Sequence, residues 1–199
     1  MHIYFKTYHF LIPVFFFYSA FVAMGQVKNE REYRVLEKDF PDTALDILGN
    51  RLKDIKRVRY FKEYDTGTFS YEVKFRRKGM FYSVEFNSIG QLQDIEVYIN
   101  QDDIPESGLD KIRTQLKNQF SRYRIIKVQR QYPLVSFSNE DALFEQALEG
   151  KGVEHTNYEV VISGKEKEGF KTFEFLFDSQ GNFLKKRKFA SIGYDYILY

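Results

Sequence analysis

The chain has 199 residues with 30 Lys and Arg against 28 Asp and Glu, and a net charge of +2 gives no global drive toward nucleic acid or an anionic membrane surface. Cysteine is absent, which excludes disulfide staples and thiolate-bound metals. The core must come from 21 Phe, 15 Tyr and the aliphatic residues, with no Trp. Phe and Tyr bury well and favour strands.

Residues 1–25 carry one charged side chain, Lys6, ahead of the apolar run Phe10–Gly25, which closes on Ala23-Met24-Gly25 before Gln26. This is the pattern of a secretory signal peptide with cleavage after Gly25. The rival reading is an uncleaved anchor. The run is short of the roughly 20 residues a spanning helix needs, and it contains Pro13. No cysteine follows it, so the lipoprotein route is closed. The expectation is an exported chain, periplasmic or secreted, with no transmembrane segment after cleavage. A chain of this size buries roughly 70% of its unfolded surface without staples.

Residues 26–38 are mostly polar and read as a solvated lead-in, with a short extended stretch around Tyr33 and Val35. Pro41 then opens a helix whose face is Leu45, Leu48, Leu52 and Ile55. The period changes to two over residues 57–64, and a turn at Asp65-Thr66-Gly67 leads to a second strand. There Tyr71, Val73 and Phe75 alternate with Glu72, Lys74 and Arg76. Arg77-Lys78-Gly79 turns the chain into a strand with Tyr82, Val84 and Phe86 on one face. Asn87-Ser88-Ile89-Gly90 turns it again into a strand carrying Ile95, Val97 and Ile99.

The same script is written a second time. Asp39–Asp46 (DFPDTALD) recurs 64 residues later as Asp103–Asp110 (DIPESGLD). Leu109, Ile112, Leu116 and Phe120 give the helical face, and residues 123–132 match the first strand. Tyr158-Glu159-Val160 repeats Tyr71-Glu72-Val73 at an offset of 87, and Phe177–Phe183 repeats Phe86–Leu92 at an offset of 91. The second copy therefore holds an insertion at 133–155 and a longer hairpin at Gly164–Gly169. Within the insertion, Ser138 with Asp141 resembles a capping box, Leu143, Phe144, Ala147 and Leu148 form an apolar stripe, and Gly150 can stop the helix. That predicts a helix over 139–149. The expected fold class is α+β: two tandem units, 39–101 and 102–199, each a helix plus a four-stranded antiparallel sheet.

The pieces Phe40-Pro41, Tyr71-Glu72-Val73 and Phe86–Leu92, then Ile104-Pro105, Tyr158-Glu159-Val160 and Phe177–Phe183, resemble the PepSY-like family. The resemblance covers about residues 39–190. It implies a fold like that of the β-lactamase-inhibitory protein, in which tandem units join their sheets into one curved surface, and an exported bacterial protein. The shared motifs are turns and core positions, not catalytic signatures, and the insertion at 133–155 departs from the plain repeat.

No constellation specifies a reaction. Without the leader, His155 is the sole histidine, and it precedes a strand with no G-x-S-x-G motif anywhere in the chain. Asp102-Asp103 precede Pro105, where acidic groups favour a helix dipole and need no catalytic role. Asp178–Asn182 faintly resembles a calcium loop, but its counterpart Asn87–Gln91 reads as a hairpin turn. Phosphate-cradling loops are not signalled. The basic runs Arg76–Lys78 and Lys185–Lys188 read as a turn and as a solvated strand that resists edge pairing. No catalytic, metal or cofactor site is expected.

The sheet face turned away from the helices is the informative surface. Alternation places Phe81, Tyr98, Val161 and Leu176 on it among charges that include Lys74 and Arg76. Such a mixture suits a protein partner in the cell envelope, unless the insertion helix or the other copy covers it. The leading expectation is a non-catalytic exported module that engages another protein through this face and its hairpin loops, with enzyme inhibition as one form. The alternative is a periplasmic small-molecule or ion sensor with its ligand between the copies.

Overall fold

The computed structural model describes residues 26–149 and 154–190. The predicted leader and the Gly150 helix stop lie outside the described residues. Strands β1 (Gln26–Lys28) and β2 (Arg31–Val35) precede helix α1 (Asp42–Leu48). Strands β3 (Arg59–Asp65), β4 (Thr68–Arg77), β5 (Met80–Phe86) and β6 (Leu92–Tyr98) follow. Helix α2 (Glu106–Gln119) leads to β7 (Tyr123–Pro133), helix α3 (Glu140–Glu149), β8 (Asn157–Glu166), β9 (Gly169–Asp178) and β10 (Phe183–Phe189).

The strands expected as two four-stranded sheets belong to one sheet of ten, in the order β1-β10-β9-β8-β7-β6-β5-β4-β3-β2. The junction is the antiparallel pair β6–β7, in register from Asp94↔Pro133 to Tyr98↔Gln129. Every pair is antiparallel except β1 with β10.

The core fills the space between one sheet face and the three helices. Val73, Phe75, Val84, Phe86, Ile95, Val97, Val160, Ile162, Phe173, Phe175 and Phe177 from the sheet share one buried cluster with Ala44, Leu48, Leu52, Leu109, Ile112, Leu116 and Phe120. Leu143, Phe144 and Ala147 of α3 are buried over β6 and β7. The period-two faces predicted for β4, β5 and β6 are the faces observed. Each buried Phe or Leu supplies about 1.5–3 kcal/mol.

Local details differ from the sequence expectations for identifiable reasons. Helix α1 stops at Leu48 because Gly49 takes a φ of 28°, and a 3-10 turn, Gly49–Leu52, carries Leu52 to the core. Pro41 and Pro105 sit one position before their helices, where their carbonyls accept from the N–H groups of Leu45 and Leu109 at 3.0 Å. The cap of α3 is Asn139 rather than Ser138: its Oδ1 accepts from the Ala142 N–H at 2.9 Å. Gly164 is not in a hairpin turn but inside β8, and a Cβ there would lie 2.7 Å from the Phe120 ring. Residues 26–38 are not a solvated lead-in. They supply both β1 and β2, and Val35 packs against the core.

The twin turns are built alike. Asn87 Oδ1 accepts from the N–H groups of Ile89 and Gln91, and Asp178 Oδ1 accepts from those of Gln180 and Asn182. Partial burial opposes ionisation of Asp178, but its bonds from Asn182 and Gln180 outweigh that and hold its carboxyl below the usual range. This is the turn chemistry expected over the calcium reading.

Candidate functional site

β1 and β2 are separated by Asn29 and Glu30 alone, yet they occupy opposite ends of the strand order. Three residue steps reach at most about 10 Å. The sheet must therefore curl until its edges β10 and β3 face one another, and residues 26–35 zip the seam. β1 runs parallel to β10, with Gln26↔Arg187 and Lys28↔Phe189, and β2 runs antiparallel to β3, with Arg31↔Tyr64 and Val35↔Tyr60. Asn29 N–H donates to Asp65 Oδ1 at 3.1 Å across the gap.

Curling turns the face away from the helices into an interior. It forms a cleft of about 420 Å³, lined by nine carboxylates and four cations. The register explains the crowding. Glu72 pairs with Glu85, and Glu85 with Asp94, so three carboxylates stand side by side on β4, β5 and β6. The next inward row is Lys74, Ser83, Glu96 and Gln131, and beyond it Gln129 faces Glu159. Like charges opposite one another on a sheet are destabilising, so this face is not a solution chosen for stability.

Part of the charge is compensated. Lys28 Nζ lies 2.6 Å from Glu174 and 2.7 Å from Glu30, and Arg187 Nε donates to Glu174 at 2.6 Å. Lys74 Nζ lies 2.8 Å from Glu32 and 2.9 Å from Glu72, and the Ser83 hydroxyl donates to Glu72. Burial works against ionisation of Glu174, but Lys28 and Arg187 more than offset it and lower its pKa. Burial likewise disfavours charged Lys28, and Glu174, Glu159 and Glu30 overcome it and push the pKa up. By contrast, Glu85, Asp94, Glu96 and Glu159 make no ion pair among the described residues. Burial, then Glu159 and Glu72, raise Asp94 to about 7. Burial followed by neighbouring carboxylates also raises Glu63, Glu85, Glu96 and Glu159.

A pH dependence of stability follows, opposite to ordinary acid denaturation. A carboxyl whose pKa is raised by folding carries no penalty below its unfolded value near about 4. The penalty grows as pH rises and is complete above the folded value, about 7 for Asp94. Each such proton is worth about 1.4 kcal/mol per pH unit across that window. The melting temperature at pH 5.5 is therefore expected to exceed that at pH 8 by at least about 3 °C at constant ionic strength. The support from Glu174 has the opposite sign but is lost only below about pH 4, outside this comparison. Calorimetric melts at pH 5.5, 6.5 and 8 test it; a melting temperature that rises with pH would contradict the charge assignment.

The residues singled out from sequence all project from the expected face, but the face divides. Lys74, 6% exposed, and Val161, 8% exposed, are buried inside. Leu176 is half-buried opposite Glu159. Tyr98 is 39% exposed, and Phe81 is half-buried with the Arg76 guanidinium 5.1 Å from its ring centre. Arg76, Phe81 and Tyr98 thus form a rim patch. His155 is exposed in a turn before β8, and Asp103 accepts from the Asn100 N–H at 2.7 Å, a local cap. Sequence reasoning missed Lys28, Glu30 and Glu32, although charge at every second residue was the available signal. It also missed Lys127, Gln129 and Gln131, which line the cavity from β7.

No described helix is long and apolar enough to cross a membrane. No family model and no curated protein matches the chain. Solved structures do. A DUF2874 family protein from Bacteroides ovatus aligns over 75% of this chain and 87% of its own, with a TM-score of 0.50 and 13% identity. A proposed periplasmic protein from Bacteroides eggerthii aligns over 75% and 88%, with a TM-score of 0.50 and 12% identity. A BLIP-like protein from Bacteroides fragilis aligns over 75% and 86% with a TM-score of 0.45 and 13% identity. At such identities the first two show a shared fold, an α+β chain built on a large curved sheet.

Proposed function

We propose that this chain is an exported, non-catalytic binding module of the PepSY-like type, acting in the periplasm or after secretion, and that its recognition element is the cavity inside the curled sheet. The observation that carries this is the set of four carboxylates, Glu85, Asp94, Glu96 and Glu159, gathered without an ion pair around a cleft of about 420 Å³. A fold maintained for packing alone gains nothing from such a set. The cavity draws on β3–β6 and on β7 and β8, so the ligand sits between the two helix-led units. Duplication of one unit accounts for the repeated helix starts and the twin turns. A thermal-shift screen of small polar compounds, cations, sugars and amino acids tests the reading, because a ligand that binds only the folded chain raises the melting temperature by mass action. The expected result is a shift of several degrees from at least one class, removed by Glu96→Gln. No shift from any class would overturn it.

A second reading rests on the rim. Arg76, Phe81 and Tyr98 stand at the edge of the sheet face, and aromatic and Arg side chains are the common anchors of protein interfaces. This patch suits an envelope protein partner, with inhibition as one outcome. Phe81→Ala with Tyr98→Ala is expected to abolish partner capture while leaving the circular dichroism spectrum native. Unchanged capture would remove the rim from consideration.

A further inference from the structure

We propose that the cavity takes a linear aliphatic polyamine, whose ammonium groups are held by Asp94 at one end and Gln129 at the other, with Glu96 between them. The inference rests on the cavity being the recognition element and adds the chemical class of its ligand.

Two atoms define the site. Asp94 Oδ1 and Gln129 Oε1 are buried and have no hydrogen-bond partner. Gln129 is 5% exposed, and leaving a buried acceptor unsatisfied is destabilising. Its amide orientation is not arbitrary. Gln129 Nε2 donates to Glu96 Oε2 at 2.7 Å, which leaves Oε1 as the amide atom without a partner. Asp94 is similar: Oδ2 accepts from Gln131 Nε2 at 3.3 Å, and Oδ1 is left over. Both unpartnered atoms are acceptors, so the ligand must bring donors.

The surroundings set its charge. Asp94 is faced by Glu85 on β5, Glu72 on β4, Gln131 on β7 and Glu159 on β8, with Lys28 the cation closest to it in effect. A neutral donor would satisfy the hydrogen bonds but leave the carboxylates repelling one another. A cation does both. Among the described residues no three acidic or imidazole groups converge as metal ligands, so a compact divalent ion fits the spacing poorly. The register gives the length. Asp94 and Gln129 lie on adjacent strands, with Glu96 and Gln131 paired in the row between them. Their Cα atoms are two inward positions apart, roughly 13 Å at about 3.3 Å per residue. An extended chain with charges at intervals can serve both ends, its methylenes passing the Glu96 and Gln131 stems.

The test is titration calorimetry with spermidine as the probe, at pH 8 and low salt, with MgCl2 and CaCl2 titrated at matched ionic strength. One spermidine per chain is expected, at least tenfold weaker in Asp94→Asn and in Gln129→Leu. Removing charge at Asp94 relieves repulsion, so a native melting temperature for Asp94→Asn is the folding control. Affinity at pH 6 is expected to drop about tenfold, since the cation requires ionised Asp94 and its neighbours. Spermidine binding that ignores both substitutions is surface association and overturns the proposal, as does tight one-to-one Ca²⁺ or Mg²⁺ binding lost in Asp94→Asn. If spermidine gives no heat while another class still shifts the melting temperature in a Glu96-dependent way, the polyamine assignment fails and the cavity reading stands. If neither occurs, both fail.

Discussion

A Lys74→Met variant is expected to lose about 3–5 kcal/mol of stability at pH 8, which for a chain of this size lowers the melting temperature by about 10 °C. Methionine keeps the length and most of the volume, so the loss is electrostatic. Lys74 is 6% exposed, and its ammonium joins Glu32 of β2 to Glu72 of β4 while lying 5.0 Å from the centre of the Phe61 ring. Without it, Glu72 stands in an uncompensated row with Glu85 and Asp94, and Glu32 no longer ties the seam to the sheet. The loss should shrink toward pH 5, because burial and Glu72 already raise the Glu32 pKa and a neutral Glu32 needs no cation. Adding Glu72→Gln should recover much of it. Urea denaturation of the three proteins at both pH values measures this. A loss below about 1 kcal/mol would place Lys74 with exposed ion pairs and make the cavity effectively aqueous.

What was legible in the sequence follows from period and punctuation. The alternation of Tyr71, Val73 and Phe75 against Glu72, Lys74 and Arg76 is local, and the observed faces agree with it. So do the apolar stripe of α2 and the insertion helix near 139–149. Closure was not legible. Whether a charged face meets solvent or itself depends on how far ten twisted strands curl and on which edge the chain's first strand joins. Those are long-range facts: Lys28 meets Glu174, and Lys74 meets Glu32. Lys28, Glu30 and Glu32 alternate with Val27, Asn29 and Arg31, but so short a polar alternation also describes a solvated strand. The candidate site was thus half visible, its β4–β6 wall read correctly as one face and its lid read as solvent. Rim residues and interior residues looked alike for the same reason, since Val161 and Tyr98 share a parity and differ only in what lies above them.

Gly181→Ala is expected to cost about 3 kcal/mol, the sum of a left-handed backbone penalty of about 1–2 kcal/mol and an overpacking penalty of about 1–3 kcal/mol. Gly181 has a φ of 79°, and a Cβ built on it would stand 2.3 Å from the carbonyl oxygen of Gly108 and 2.8 Å from its Cα. Both partners are backbone in the first turns of α2, so no side chain can swing aside. Its twin Gly90, φ 80°, would bring a Cβ to 2.8 Å from Pro41 Cβ and 3.2 Å from the Ala44 backbone nitrogen, a smaller overlap than at Gly181. Gly67 has a φ of 87° with nothing within 4 Å, so its alanine carries the backbone term alone. The three alanine variants should therefore rank Gly181, Gly90, Gly67 in decreasing cost, with Gly67→Ala near about 1–2 kcal/mol. The ranking separates turn conformation from turn docking. It also bears on the cavity, because the Asp178–Asn182 turn joins β9 to β10, which carry Glu174 and Arg187 to the seam. If the turn is seated on α2 as the contact requires, Gly181→Ala should loosen the β10–β1 side first, seen as faster amide exchange at Lys186–Phe189 than in β4. Equal costs for Gly181→Ala and Gly67→Ala would show that the turn stands free of the helix and that the seam is anchored by its ion pairs alone.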